Sequence, residues 1–241
     1  MTEAHEAFGR AIATYDDAAE IQKHSAHQLS LAFPNRENPV SLELGSGTGL
    51  MTNEFFRAYD NGQLLVTDAN PSLVAHCSQK FKRAASMTLL AEEALDRLPS
   101  CSFDLIFSNM VFQWVSGDPN IAIARLQSLL APDGVLVYAT IGHRNFHRWR
   151  AHLKQHGLES GMREDLPEVW LGQYHEEIIP RDYGSARGFL DMLKRTGAHT
   201  SREGYLKHHM RAFKHACDQY DGSDEWHVVY GMLHASHAPA P

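Results

Sequence analysis

The stretch Glu43-Leu44-Gly45-Ser46-Gly47-Thr48-Gly49 carries the most specific chemistry of this chain. It follows a short apolar run, Val40 to Leu44, and precedes a segment with helical spacing, Leu50 to Tyr59. A strand that turns through glycines into a helix builds a nucleotide-binding crevice, because glycine permits both a tight turn and a close ligand approach. The spacing is G-x-G-x-G, and Leu50 stands where a dinucleotide-binding G-x-G-x-x-G pattern has its third glycine. No lysine follows, which excludes a phosphate-cradling P-loop. Glu43 lies inside the strand, just before the turn. A carboxylate there suits a ligand with an ammonium group better than a pyrophosphate. The combination points to S-adenosylmethionine, with Gly45, Gly47 and Gly49 shaping its seat.

A second strand, Gln63 to Thr67, leads to Asp68, 23 residues after Gly45. An acid about 20 residues past such a turn is placed to accept hydrogen bonds from ribose hydroxyls, with Ala69 beside it. Asp68 or Asn70 could instead cap the helix that begins at Pro71. Asn70 fits the cap better, since proline favours the first helical position.

The elements that must position these residues alternate. Two helical stripes precede residue 36, with Phe8, Ala11, Ile12 and Tyr15 in the first and Asp16-Asp17 as the break. Strands are expected at 40–44, 63–67, 87–91, 103–108 and 135–141. Helices are expected at 48–60, 71–82 and 120–130 between them. Near-continuous apolar strands alternating with helices predict an α/β fold, a parallel sheet covered on both faces. Beyond Ile141 the pattern predicts a basic helix at 143–156, an irregular stretch at 157–173, a strand at 174–179, helices at 184–196 and 203–220, and a last strand at 226–233. The resulting division is an N-terminal helical lid (1–36), a binding core (37–142), a substrate-side insert (143–183), a completion of the sheet (184–233) and a tail (234–241).

Composition limits the function. The 241 residues are 43% apolar, ordinary for a globular chain. The 22 Lys and Arg against 29 Asp and Glu make a poor general nucleic-acid binder. No apolar run approaches a membrane span, and Met1 to Glu6 lacks the features of a signal peptide. Cys77, Cys101 and Cys217 are far apart and odd in number, which fits reduced thiols in a cytoplasm better than disulfides or zinc.

With these residues in view, the chain resembles class I S-adenosylmethionine-dependent methyltransferases, whose fold is Rossmann-like with a mostly parallel seven-stranded sheet. Glu43–Gly49 is similar to their first motif, Asp68 to their second-strand acid, Phe103-Asp104-Leu105-Ile106 to their fourth strand, and Pro132-Asp133-Gly134-Val135-Leu136 to the turn into their fifth. Three further stretches resemble the malonyl-acyl-carrier-protein O-methyltransferases of biotin synthesis. These are Ala7-Phe8-Gly9-Arg10 with Thr14-Tyr15-Asp16, Ser108-Asn109-Met110-Val111-Phe112-Gln113-Trp114, and His227-Val228-Val229-Tyr230-Gly231. The second also resembles enzymes that methylate small acids such as trans-aconitate. One departure concerns adenine: where such families carry an aspartate after the third strand, this chain has Leu90-Ala91-Glu92-Glu93-Ala94, leaving Glu92 or Glu93 for that contact.

The resemblance implies methyl transfer from S-adenosylmethionine to the free carboxylate of a malonyl thioester on an acyl carrier protein, or on coenzyme A. Tyr15, on the lid-like helix, is a candidate catalytic residue or a core tyrosine. Asn109, at the carboxyl edge of the fourth strand, is a cofactor contact or a turn residue with positive φ. Gln113 and Trp114 could line the junction of donor and acceptor, Trp114 equally as a packing residue. The basic run from His143 to His156 is either a solvated amphipathic helix with Phe146, Trp149 and Leu153 inward, or a surface for an acidic carrier protein, with Arg148 or Arg150 reaching partner or substrate. The His143/His147 and His152/His156 pairs have metal-binding spacing, but no third ligand is close in sequence, so no metal is expected. A free-acid or quinone-type acceptor is an alternative, as is a non-catalytic protein that binds S-adenosylmethionine.

Overall fold

The computed structural model describes residues 3–198 and 203–235. Two helices, α1 (Glu3–Ala18) and α2 (Glu20–Ser30), lead into the sheet. The strands are β1 (Val40–Leu44), β2 (Gln63–Asp68), β3 (Ala85–Thr88), β4 (Phe103–Asn109), β5 (Leu130–Ile141), β6 (Gln173–Asp182) and β7 (Ser223–His234). Between them run α3 (Leu50–Ala58), α4 (Pro71–Lys80), the single turn α5 (Ala94–Arg97), α6 (Pro119–Leu126), α7 (His147–Gln155), α8 (Ala186–Arg195) and α9 (Glu203–Gln219).

The described strands form one sheet of order β3-β2-β1-β4-β5-β7-β6. β1 to β5 are parallel; β7 pairs antiparallel with both β5 and β6. The α/β expectation is therefore met. The order reverses between β1 and β4, the place where open α/β sheets bind ligands at their carboxyl edge.

Alternation along each strand serves two cores. On β4, Leu105 and Phe107 face the layer that includes Leu29, Phe55 and Trp149, while Ile106 faces the layer that includes Ile123 and Leu126. Phe107 is fully buried, with ring centroids 5.2 Å from Phe33 and 5.6 Å from Phe55. Truncating such a ring typically costs about 3–5 kcal/mol.

Several boundaries differ from expectation. The helix break falls at Ala19, because Asp16 and Asp17 stay helical and Asp16 is used elsewhere. The third strand ends at Thr88, and Leu89–Ala91 turns toward the cavity described below. Ala131-Pro132-Asp133-Gly134 is absorbed into β5 as an irregularity opposite Phe103–Leu105, with Asp133 at φ 62°. The basic helix starts at His147, since Phe146 takes a left-handed conformation at φ 52°. Phe146, Trp149 and Leu153 are buried, as the spacing predicted. β6 occupies 173–182, inside the stretch expected as an insert, and forms one edge of the sheet.

Candidate active site

The glycine turn sits at the carboxyl end of β1. Gly45, Gly47 and Gly49 have φ of 69°, 53° and 87°, values that disfavour a side chain. A Cβ on Gly45 would meet the Val111 Cγ2 at 2.2 Å, whereas one on Gly47 would meet nothing within 4 Å. Gly45 thus lets the next loop close over the turn, and Gly47 leaves open space for a ligand. Gly49 starts α3 and packs against Phe81 and Cys77.

Asp68 ends β2 and faces this turn. Its Oδ2 accepts from the Gly47 N–H at 2.9 Å and its Oδ1 from the Asn70 N–H at 2.8 Å. Asn70 caps α4, its Oδ1 accepting from the Ser72 N–H at 2.8 Å. The capping role therefore falls to Asn70, and Asp68 stays on the cavity wall. Glu43 lies deeper and is 1% exposed. Burial pushes its carboxyl up to about 8, against the short hydrogen bond from the Thr52 hydroxyl at 2.5 Å, which favours the ionised form; the Asp68 carboxylate pushes it further up. Burial thus favours the neutral carboxyl over the ionised one.

A cavity of about 400 Å³ opens on this edge. Gly45, Gly47, Asp68, Ala69 and Asn109 line it, with Leu89, Leu90 and Ala91 on one side and Phe8, Tyr15 and Trp114 on the other. A second, of about 80 Å³, adjoins it and shares Phe8, Tyr15, Met110 and Trp114. Its own walls include Gln22, Gln113, His143, Phe146, Arg150, Met162, Arg163, Leu166 and Trp226. A further hollow, about 840 Å³, is an open groove along Asn120 and residues 169–176 that shares no residue with these two.

α1 packs against both cavities and α2 against the smaller one. The Thr48 hydroxyl donates to Asp16 at 2.6 Å, which holds α1 against the glycine turn. Phe8 meets Trp114 edge-on at 5.3 Å. Tyr15 is half-buried; its hydroxyl is pushed well above the usual tyrosine range by burial first, then by the Asp16 and Asp68 carboxylates. Asn109 lines the donor-sized cavity while its amide works structurally: Nδ2 donates to the Gln22 carbonyl at 3.0 Å, and Oδ1 accepts from Ser25 at 2.8 Å. Gln113 is buried; its Nε2 donates to the Met110 carbonyl and its Oε1 accepts from Thr140, both at 2.8 Å.

The two candidate arginines of the basic run, Arg148 and Arg150, part company. Arg148 faces outward and pairs with Asp221 at 3.0 Å. Arg150 turns inward to the small cavity, where its Nη2 donates to the His143 carbonyl at 2.5 Å. The side chain of Glu92 lies outside the described residues; its backbone belongs to the 3₁₀ turn Ala91–Glu93. Among the described residues no group of three histidine, cysteine or acidic side chains could hold a metal, and no helix is long and apolar enough to cross a membrane.

Arg163 is a site residue that spacing alone missed. Its guanidinium donates to the carbonyls of Gln113, Val115 and Gly117, pinning the loop after β4. It sits in an aperiodic stretch, so no local pattern marks it. Met162 and Leu166 were missed for the same reason, and His143, named in the basic run, was not read as a wall of this cavity.

The donor-sized cavity fits S-adenosylmethionine. Gly47 opens onto it, the Asp68 carboxylate lines it, and Glu43 lies buried at the end of the strand before the turn. Comparison with known proteins agrees. Residues 42–136 match the family model described as a methyltransferase domain. Malonyl-[acyl-carrier protein] O-methyltransferase of Magnetococcus marinus is 34% identical over 209 residues, covering 80% of this chain and 75% of that protein. The namesake in Anoxybacillus flavithermus is 28% identical over 227 residues, with 89% and 86% covered. The YcgJ protein of Bacillus subtilis superposes with a TM-score of 0.62 at 16% identity, over 89% of this chain and 99% of that one. A methyltransferase-like structure from Bacillus halodurans gives 0.60 at 10% identity, over 88% and 99%.

Fold and site together define a class I methyltransferase that uses S-adenosylmethionine. Within that class, the chain belongs to the malonyl-[acyl-carrier protein] O-methyltransferase family.

Proposed function

We propose that the protein methylates the free carboxylate of a malonyl group carried as a thioester on acyl carrier protein, the early biotin-synthesis step that the family resemblance implies. The observation that carries this is the adjoining pair of cavities, one donor-sized and one of about 80 Å³ walled partly by Arg150. A small cavity with a cationic wall suits a short acid better than a quinone ring. The names of the relatives in Magnetococcus marinus and Anoxybacillus flavithermus support the same acceptor.

When bound, S-adenosylmethionine supplies a methyl group already activated by a positive sulfur. A malonyl carboxylate is ionised at pH 7, so no general base is needed. The protein must align the acceptor and exclude water. Phe8, Tyr15, Met110 and Trp114 form the wall common to both cavities and stand where donor and acceptor meet. Tyr15 keeps its proton at all ordinary pH and serves as a hydrogen-bond donor. Gln113 and Asn109 hold the loop and lid that frame the junction. Gly45, Gly47, Asp68 and Ala69 line the donor seat, Glu43 and Gly49 shape the turn behind it, and Glu92 or Glu93 remains the adenine candidate. Arg148, on the outer face of α7, is assigned to carrier-protein contact, with its exposed pair to Asp221 easily exchanged.

The test is intact-mass spectrometry of malonyl-acyl carrier protein after incubation with the protein and S-adenosylmethionine, with malonyl-coenzyme A and trans-aconitate alongside. One added methyl on the carrier-bound group is the expected result. Methylation of a free acid alone would move the acceptor to the small-acid branch.

A further inference from the structure

Among the described buried polar atoms without a hydrogen-bond partner are two nitrogens on residues that line the same small cavity: His143 Nδ1 and Arg150 Nε. A buried polar nitrogen left unpaired costs free energy that a native structure normally avoids, so two on one cavity point to a missing partner, which for the Arg150 Nε–H must be an acceptor. Nearby groups do not supply it. The Arg150 Nη2 is spent on the His143 carbonyl, which locks the two residues together. His227 meets His143 only ring to ring, edge-on at 5.3 Å. Both His227 nitrogens are engaged, Nδ1 accepting from the Arg144 N–H at 3.2 Å and Nε2 donating to Glu176 at 2.9 Å. That pattern is a neutral imidazole, in accord with burial lowering the His227 pKa. Arg163, the cavity's other arginine, already donates to three backbone carbonyls and Asp165.

We infer that His143 and Arg150 form a two-point clamp for the carboxylate of the acceptor, a short acid with its charge at the buried end. This rests on the proposed function and adds to it the residues that recognise the acid. Arg150 Nε donates to one carboxylate oxygen, and His143 in its Nδ1–H tautomer donates to the same group. Neither step needs a proton to move. Methylation turns the acceptor into a neutral ester with one fewer strong acceptor oxygen, so the clamp holds substrate better than product. An amide of the same shape offers only one acceptor and two unmatched hydrogens, so the clamp also rejects it.

The experiment measures binding of malonyl-carrier protein and of malonamyl-carrier protein, its terminal amide, to the protein saturated with S-adenosylhomocysteine. Wild type is compared with Arg150→Gln, Arg150→Lys, His143→Phe and His143→Asn, with melting temperature and S-adenosylmethionine affinity as controls for folding. Loss of a charge-assisted bond should weaken carboxylate binding about ten- to a hundredfold in Arg150→Gln. The amide should be nearly unaffected, so the preference collapses. His143→Phe should fall in the same direction, and His143→Asn, which keeps a donor near Nδ1, should recover part of it. Should Arg150→Gln not fold, Arg150→Lys must still lose carboxylate preference, because lysine lacks the Nε geometry. An unchanged carboxylate-to-amide ratio in Arg150 and His143 variants that still methylate malonyl-carrier protein overturns the clamp and leaves the function standing. If wild type does not methylate that substrate at all, the function fails, and the same titration with trans-aconitate decides the clamp. Retained binding of the free acid by both variants then overturns it.

Discussion

The Thr52 hydroxyl donates to the Glu43 carboxyl at 2.5 Å beneath the glycine turn, joining the first helix after the turn to the strand before it. This bond favours an ionised Glu43, yet burial outweighs it and holds the group up to about 8. The sign for stability follows. Below the unfolded value of about 4.3 both states are protonated and Glu43 contributes nothing. As pH rises through the window up to about 8, the unfolded chain loses its proton and the folded one resists, so stability falls. Glu43→Gln should therefore melt close to wild type at pH 5 and above it at pH 9, by about 2 kcal/mol or more, roughly 4–8 °C. Its affinity for S-adenosylmethionine should drop about tenfold, since the neutral amide cannot charge beside a cation. Equal melting shifts at both pH values would count against this account; scanning calorimetry across pH decides it.

Gly45 and Gly47 look alike in the sequence and should behave differently. Gly45→Ala places a methyl against Val111 at 2.2 Å on a backbone at φ 69°, so both strain and clash act. A loss of about 2–4 kcal/mol in folding stability is expected. Gly47→Ala meets open space and carries only the left-handed penalty, about 1 kcal/mol, but its methyl enters the donor cavity. It should stay folded and lose S-adenosylmethionine binding. Urea melts and calorimetric titration of the two variants test this, and a Gly47→Ala protein that binds donor normally would remove Gly47 from the seat.

Much of the donor side was legible in the sequence because it is local. The glycine turn, Glu43 and Asp68 sit at strand ends spaced by one βα unit each, and Asn70-Pro71 announced its own cap. The basic helix showed its buried face through Phe146, Trp149 and Leu153 at helical intervals. The acceptor side was legible only in part: Tyr15, Gln113, Trp114 and Arg150 line the small cavity, but its other walls were not readable, for the opposite reason. Arg163 acts on carbonyls 46 to 50 residues earlier, and Gln22 joins Asn109 across 87. No periodicity encodes a contact of that range. Arg148 and Arg150 are two apart on one helix, so they face different directions, and only the packing of α7 tells which looks inward.

Asn109 bridges β4 to α2 through the Gln22 carbonyl and Ser25. Asn109→Ala leaves a buried carbonyl and hydroxyl without that partner, at a cost of about 1–3 kcal/mol. The loss should be local. Amide exchange in α2 should quicken about tenfold or more, while β4 and β5 keep their protection. S-adenosylmethionine affinity should weaken with it, because Asn109 lines the donor cavity together with Phe8 and Tyr15 of α1. Uniform acceleration of exchange across the sheet would show that the bridge supports the whole fold and not the lid alone.

Tyr15 lines both cavities, at the junction that methyl transfer must cross in the proposed reaction. Its ring is needed as wall in either role, and Tyr15→Phe keeps the ring. A tyrosine that only packs would lose almost nothing from this change. A tyrosine that orients the acceptor carboxylate would lose a hydrogen bond made to a charge, about tenfold in kcat, with donor affinity nearly unchanged. Burial and the neighbouring Asp16 and Asp68 carboxylates raise its ionisation above the ordinary value near 10, so the phenol stays protonated throughout the working range. The wild-type rate should show no alkaline loss attributable to Tyr15 up to about pH 10, and the variant's pH profile should run parallel to it at a lower level. A profile that changes shape on removing the hydroxyl would mean that Tyr15 titrates during turnover. An unchanged kcat would leave it a wall residue.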